Sequence, residues 1–176
     1  MKALMLLADG FSEMDAFTVI EVMKRAGSEV VTASLSSSVV TGASKTKVVA
    51  DKKLGEIDPY LYDMLILPGG PGYKNLLNSG KVIELIKNFD KNKKYIAAMC
   101  GSPEILAAAG VLEDKIATIN PGWESKLPRP RDAKVVVARN IVTSSTSAAA
   151  LDFALKLAEI MNKKGADKVR KSLMPN

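Results

Sequence analysis

The 176-residue chain contains one cysteine, Cys100, and no histidine. Cys100 follows the apolar run Ile96 to Met99 and precedes Gly101-Ser102-Pro103, with a helix-like stretch from Pro103 to Ala109 that Gly110 can cap. A thiol between a strand and a proline-opened helix has the layout of a nucleophile elbow. There the helix dipole and free backbone N–H groups favour the thiolate over its ordinary pKa of about 8.5. By residue type alone, a lone cysteine after Ala97-Ala98-Met99 reads equally as a small buried hydrophobe. Without histidine, a Ser-His-Asp triad, a Cys-His dyad and a zinc site of the usual nitrogen and sulfur ligands are all excluded. Proton transfer is left to carboxylates, lysine, tyrosine, the thiol or water.

Two other segments hold groups that could serve such a thiol. The turn Asp9-Gly10-Phe11-Ser12-Glu13-Met14-Asp15 carries three carboxylates beyond the first strand. Ser12-x-x-Asp15 resembles a capping box with aspartate in place of glutamate, and local evidence favours that role for Asp15. A carboxyl beside a thiol would instead donate to the thiolate if protonated, or raise the thiol pKa if ionised. Gly69-Gly70-Pro71-Gly72 is a poor phosphate loop, because Asn75 stands where a dinucleotide fingerprint needs glycine and Pro71 lacks an N–H. Its glycines could line an oxyanion hole facing Cys100, or form only a tight turn.

These segments need a scaffold that brings them together. Lys2 to Ala8, Glu29 to Ala33, Tyr62 to Leu67 and Ile96 to Met99 read as buried strands, with helices over Glu13 to Ala26 and Lys81 to Asn92. Val39 to Thr41 and Lys47 to Ala50 suggest a small hairpin, and Glu56 to Pro59 a loop. Ala117 to Ile119, Val135 to Ala138 and Ile141 to Ser144 are further strand candidates. Ser147 is a candidate N-cap for a helix through Met161, and a last helical segment covers Ala166 to Leu173. The alternation predicts one α/β domain over residues 1–176, with a mostly parallel sheet and helices on both faces. Ligands in such sheets bind beyond the carboxyl ends of the strands, where Gly69-Gly70 and Cys100 both emerge.

Bulk properties narrow the function classes. The net charge of +6 comes from scattered lysines and small clusters without interleaved aromatics, so nucleic acid is not expected as a partner. A single cysteine makes no internal disulfide, Ala3 to Ala8 is too short for a signal-peptide core, and no apolar run reaches bilayer length. A cytoplasmic protein without membrane partners, metal or cofactor is expected.

The acidic turn, Val22-Met23-Lys24-Arg25-Ala26-Gly27, Leu67-Pro68-Gly69-Gly70, Ile96 to Pro103, Val142-Thr143-Ser144 and Asp152-Phe153-Ala154-Leu155 occur in this order. Together they resemble the ThiJ/PfpI superfamily, most closely the branch of the human parkinsonism-associated protein deglycase. The resemblance implies a flavodoxin-like three-layer sandwich, a homodimer, and Cys100 as a nucleophilic, oxidation-sensitive thiol with the N–H groups of Gly70 and Gly101 nearby. It implies glutathione-independent glyoxalase or deglycase activity on small aldehydes or glycated substrates, with Asp15 as catalytic partner and Glu13, Gly69 and Asn120 at the substrate. The alternative it carries is a non-enzymatic redox sensor or chaperone whose cysteine oxidises to sulfinic acid. Two departures stand out. The family's thiol-binding glutamate falls on Asp15, one methylene shorter, which leaves open whether the carboxyl reaches Cys100 or only caps the helix. A histidine found in some members falls on Asn120, which exchanges no protons near neutral pH.

Overall fold

The computed structural model describes residues 1–174. Its main sheet has seven strands in the order β5-β2-β1-β6-β7-β9-β8. These are β1 (Lys2–Leu7), β2 (Glu29–Ser34), β5 (Lys52–Lys53), β6 (Met64–Leu67), β7 (Tyr95–Met99), β8 (Val135–Ala138) and β9 (Ile141–Ser144). All neighbours pair in parallel except β8 and β9. The hairpin expected near Gly42 forms a separate antiparallel pair, β3 (Val39–Thr41) and β4 (Lys47–Val49).

Helices cover both faces, which is why the central strands are apolar throughout and do not alternate. In β1, Ala3, Met5 and Leu7 enter one core and Leu4 and Leu6 the other. The first core is closed by α1 (Glu13–Arg25), α5 (Ala150–Met161) and α6 (Lys163–Leu173). The second is closed by α2 (Tyr73–Leu77), α3 (Gly80–Lys91) and α4 (Pro103–Ala108). α3 buries Val82, Leu85, Ile86 and Phe89, the stripe that helical spacing predicts. Among the described residues no helix is long and apolar enough to cross a membrane.

Several expectations are corrected. Ala117 to Ile119 is not a strand: Ala117 makes only an isolated bridge with Pro130. Tyr62 lies outside β6, which begins at Met64. α2 was hidden by the Gly-Pro-Gly sequence before it, and Gly72 is its N-cap. Ser147 caps nothing; it opens a 3-10 turn, and α5 starts at Ala150 without a side-chain cap.

Candidate active site

The carboxyl ends of β1, β6 and β7 deliver the three predicted segments to one place. After β1 the chain turns through Asp9-Gly10, and Ser12 caps α1 by accepting the Asp15 N–H at 3.3 Å. The capping box stops halfway, because the Ser12 N–H donates to Gly69 O at 2.8 Å and not to Asp15. The Asp15 carboxyl turns inward: Oδ2 accepts the Gly69 N–H at 3.0 Å and the Cys100 thiol at 3.1 Å. The shorter acid therefore reaches the sulfur while its backbone N–H serves the Ser12 cap, so both roles that the sequence left open are filled. Asp15 is wholly buried, and its Oδ1 has no hydrogen-bond partner among the described residues.

Cys100 sits at the elbow with φ +58°, a left-handed conformation costly for a residue with a Cβ. Backbone bonds on both sides hold it there: its N–H donates to Ser144 O at 2.9 Å and its carbonyl accepts the Asn120 N–H at 3.0 Å. Burial, and then the Asp15 carboxylate, push the thiol up to about 12, while a hydrogen bond with Ser147 acts in the opposite direction. This reverses the sequence expectation of a thiol favoured as thiolate. α4 has only six residues, too few for its dipole to outweigh burial and an adjacent carboxylate.

The sulfur opens onto a cavity of about 340 Å³ that Glu13, Gly70, Asn120 and Ser147 also line. Glu13 Oε1 accepts the N–H groups of Ser44 (2.8 Å) and Thr46 (3.4 Å), fastening the β3–β4 loop over the cavity. The Asn120 side chain makes no hydrogen bond to the described residues, so its amide is available to a bound molecule. Gly70, with φ +92°, and Gly101 both keep N–H groups without an acceptor among the described residues. Gly69 does not: its N–H is committed to Asp15, and a Cβ there would lie 2.5 Å from Asp15 Oδ2 and 2.9 Å from Cys100 Sγ. It positions the pair and does not line the cavity. Gly101 lies against Trp123 and Tyr73, which a Cβ there would meet, and it does not line the cavity. Among the described residues, no three His, Cys, Asp or Glu side chains converge as metal ligands.

Ser147 is the site residue that sequence reasoning missed, its Oγ 3.5 Å from Cys100 Sγ. The only signal was its place three residues after β9, whose last residue Ser144 pairs with Met99, and an N-cap reading absorbed it.

A family model described as the DJ-1/PfpI family matches residues 1–160. The chain belongs to the DJ-1/PfpI family. Among relatives of this DJ-1/PfpI chain is Protein DJ-1 homolog B of Arabidopsis thaliana, 37% identical over 87% of the chain, which spans 36% of that longer protein. Deglycase PYRAB04690 of Pyrococcus abyssi is 33% identical over 82% of the chain and 89% of its own length. Glutathione-independent glyoxalase DJR-1.2 of Caenorhabditis elegans is 29% identical over 99% of the chain and 95% of its own. The structure of oxidized Toxoplasma gondii DJ-1 superposes with a TM-score of 0.93 at 33% identity, covering 98% of this chain and 97% of that one. The DJ-1 likeness extends to the flavodoxin-like sheet order and its helices on both faces.

Proposed function

We infer that this chain is a cysteine-dependent enzyme of small α-oxoaldehydes, of the glutathione-independent glyoxalase or deglycase type. The observation that carries the reading is the 3.1 Å contact between Cys100 Sγ and Asp15 Oδ2 at a cavity also lined by Gly70, whose N–H is unpaired among the described residues.

With methylglyoxal, Sγ adds to the aldehyde carbon while Asp15 accepts the thiol proton, so the high thiol pKa is met at the moment of attack. The N–H groups of Gly70 and Gly101 are donors for the developing oxyanion, which takes a proton to give the hemithioacetal. Asp15, having passed the thiol proton to that oxyanion, then removes the proton on the same carbon; electrons move to the neighbouring ketone oxygen, which takes the hydroxyl proton, and return of the Asp15 proton to the second carbon leaves a lactyl thioester. Water adds to the thioester carbonyl and expels the thiol, so methylglyoxal and one water become lactate. Asp15 is assigned the proton transfers because it touches the sulfur; Glu13 is held by the β3–β4 loop.

The reading includes a cytoplasmic stress role and a homodimer. Met14 (61% exposed) and Phe17 (39%) on α1 and Val49 (71%) on the hairpin supply apolar surface for a second copy. Sedimentation at twice the monomer mass is expected. Lactate formation from methylglyoxal by the purified chain, without glutathione, tests the activity; no turnover by wild type would overturn it. The competing sensor reading uses the same thiol and predicts no lactate, with a stable gain of two oxygens on Cys100 under mild peroxide.

A further inference from the structure

A second cavity lies across the Asp9 turn from the first. It encloses about 380 Å³ at the carboxyl ends of β1 and β2, within the range of small-molecule sites and in the crevice where open parallel sheets take ligands. Cys100 does not line it, and the chemistry above makes no use of it.

Its lining is polar and nearly uncharged. Ser34, at the end of β2, is 2% exposed, and its hydroxyl has no hydrogen-bond partner among the described residues. Buried hydroxyls are normally paired, so this one is an unmet donor or acceptor on a residue of the cavity wall. Asp9 Oδ1 accepts the Thr41 N–H at 2.8 Å, which leaves Oδ2 open to a ligand. The Asn75 side chain donates to Asp9 O at 3.1 Å and keeps its own oxygen, while the Asn78 side-chain amide is unpaired among the described residues and its backbone N–H goes to Lys74 O. Being three apart at the end of α2, these two amides share a face. Ala8 and Val40 add apolar wall. No lysine or arginine lines the cavity, and its one charge is negative, which disfavours phosphorylated or carboxylated ligands.

Carboxylate, hydroxyl and amide groups in this combination match vicinal hydroxyls, each of which both donates and accepts. We propose that this cavity is a second binding site, for an uncharged polyhydroxylated molecule of the sugar or polyol class.

The test is a titration of the full-length 15N-labelled chain with sorbitol, which has no aldehyde to react with Cys100. Saturable amide shifts are expected at Ser34, Ser36, Ser37 and Asn78, with Ser44, Gly70 and Asn120 unmoved. Asn78→Ala, at an exposed position that leaves the core intact, should weaken binding about tenfold through loss of the amide contact. Sorbitol 6-phosphate should bind at least about tenfold more weakly than sorbitol because its charge meets Asp9. Ribose acting on the Cys100→Ser variant separates sugars from polyols as the natural source. The proposal is overturned by absence of saturable shifts, by shifts that Asn78→Ala leaves unchanged, by equal binding of the phosphate, or by hexanol shifting the same amides as strongly.

Discussion

Replacing Gly69 with alanine adds one methyl group where the Cys100–Asp15 pair has no room. The new Cβ would lie 2.5 Å from Asp15 Oδ2, 2.6 Å from Cys100 Cβ and 2.9 Å from Cys100 Sγ. Alanine brings no conformational penalty of its own, since the φ of Gly69 lies outside the left-handed region, and the N–H that holds Asp15 remains. The perturbation is therefore steric and falls on the two reacting side chains. Relieving such contacts needs a displacement approaching 1 Å, and misplacement of that size costs on the order of a hundredfold in rate. Overpacking at a buried site costs about 1–3 kcal/mol in stability. Lactate production and thermal unfolding of Gly69→Ala, with Gly80→Ala as a control where a Cβ meets nothing within 4 Å, separate the two effects. Wild-type turnover in Gly69→Ala would refute the claim that this geometry carries the chemistry.

Three further outcomes follow from the same structure. Ser147→Ala removes the contact that opposes the rise of the Cys100 pKa, so iodoacetamide should alkylate Cys100 about two- to tenfold more slowly at a fixed pH, the worth of one hydrogen bond. Glu13 loses some solvation by burial, but its own backbone and the Ser44 and Thr46 N–H groups outweigh this and hold its pKa below 4.5. A depressed acid contributes stability that is present above its unfolded pKa and lost as pH falls through the folded one. Protection of the Ser44 and Thr46 amides, measured against their intrinsic exchange rates, should accordingly fall only below pH 4.5, and Glu13→Gln should show the low protection already at neutral pH. Gly165→Ala should lower the melting temperature, because its Cβ would collide with the Ala26 carbonyl where Asn162 Nδ2 also docks α6, at 2.7 Å; an unchanged melting temperature would show that α6 shifts freely.

The sheet was legible because its strands are short apolar runs bounded by turn residues, and α3 because its four buried residues repeat at helical spacing. Ala117 to Ile119 has the same composition as a strand, but Ala117 finds only an isolated bridge, and no local pattern reports the lack of a partner. The site shows the same division. Cys100 was readable from its place at a strand end, while for Asp15 only the resemblance pointed to the thiol and the local residues did not, since Ser12-x-x-Asp15 is also a good local cap. What decides between them is Gly69, 54 residues away, whose carbonyl takes the Ser12 N–H and whose own N–H takes the Asp15 carboxylate. The thiol pKa was misjudged for a related reason. A dipole can be read from neighbouring residues, but burial and a carboxylate brought from α1 are properties of the packed fold.

The central claim is that Cys100 and Asp15 act as one unit on an α-oxoaldehyde. The most direct measurement is the initial rate of lactate formation from methylglyoxal by wild type, Cys100→Ser, Asp15→Asn and the double variant, each verified as folded. The account predicts that either single substitution abolishes turnover and that the double variant is no worse than either, the non-additivity of groups working together. Retained turnover in Cys100→Ser, or an Asp15→Asn variant as active as wild type, would contradict it.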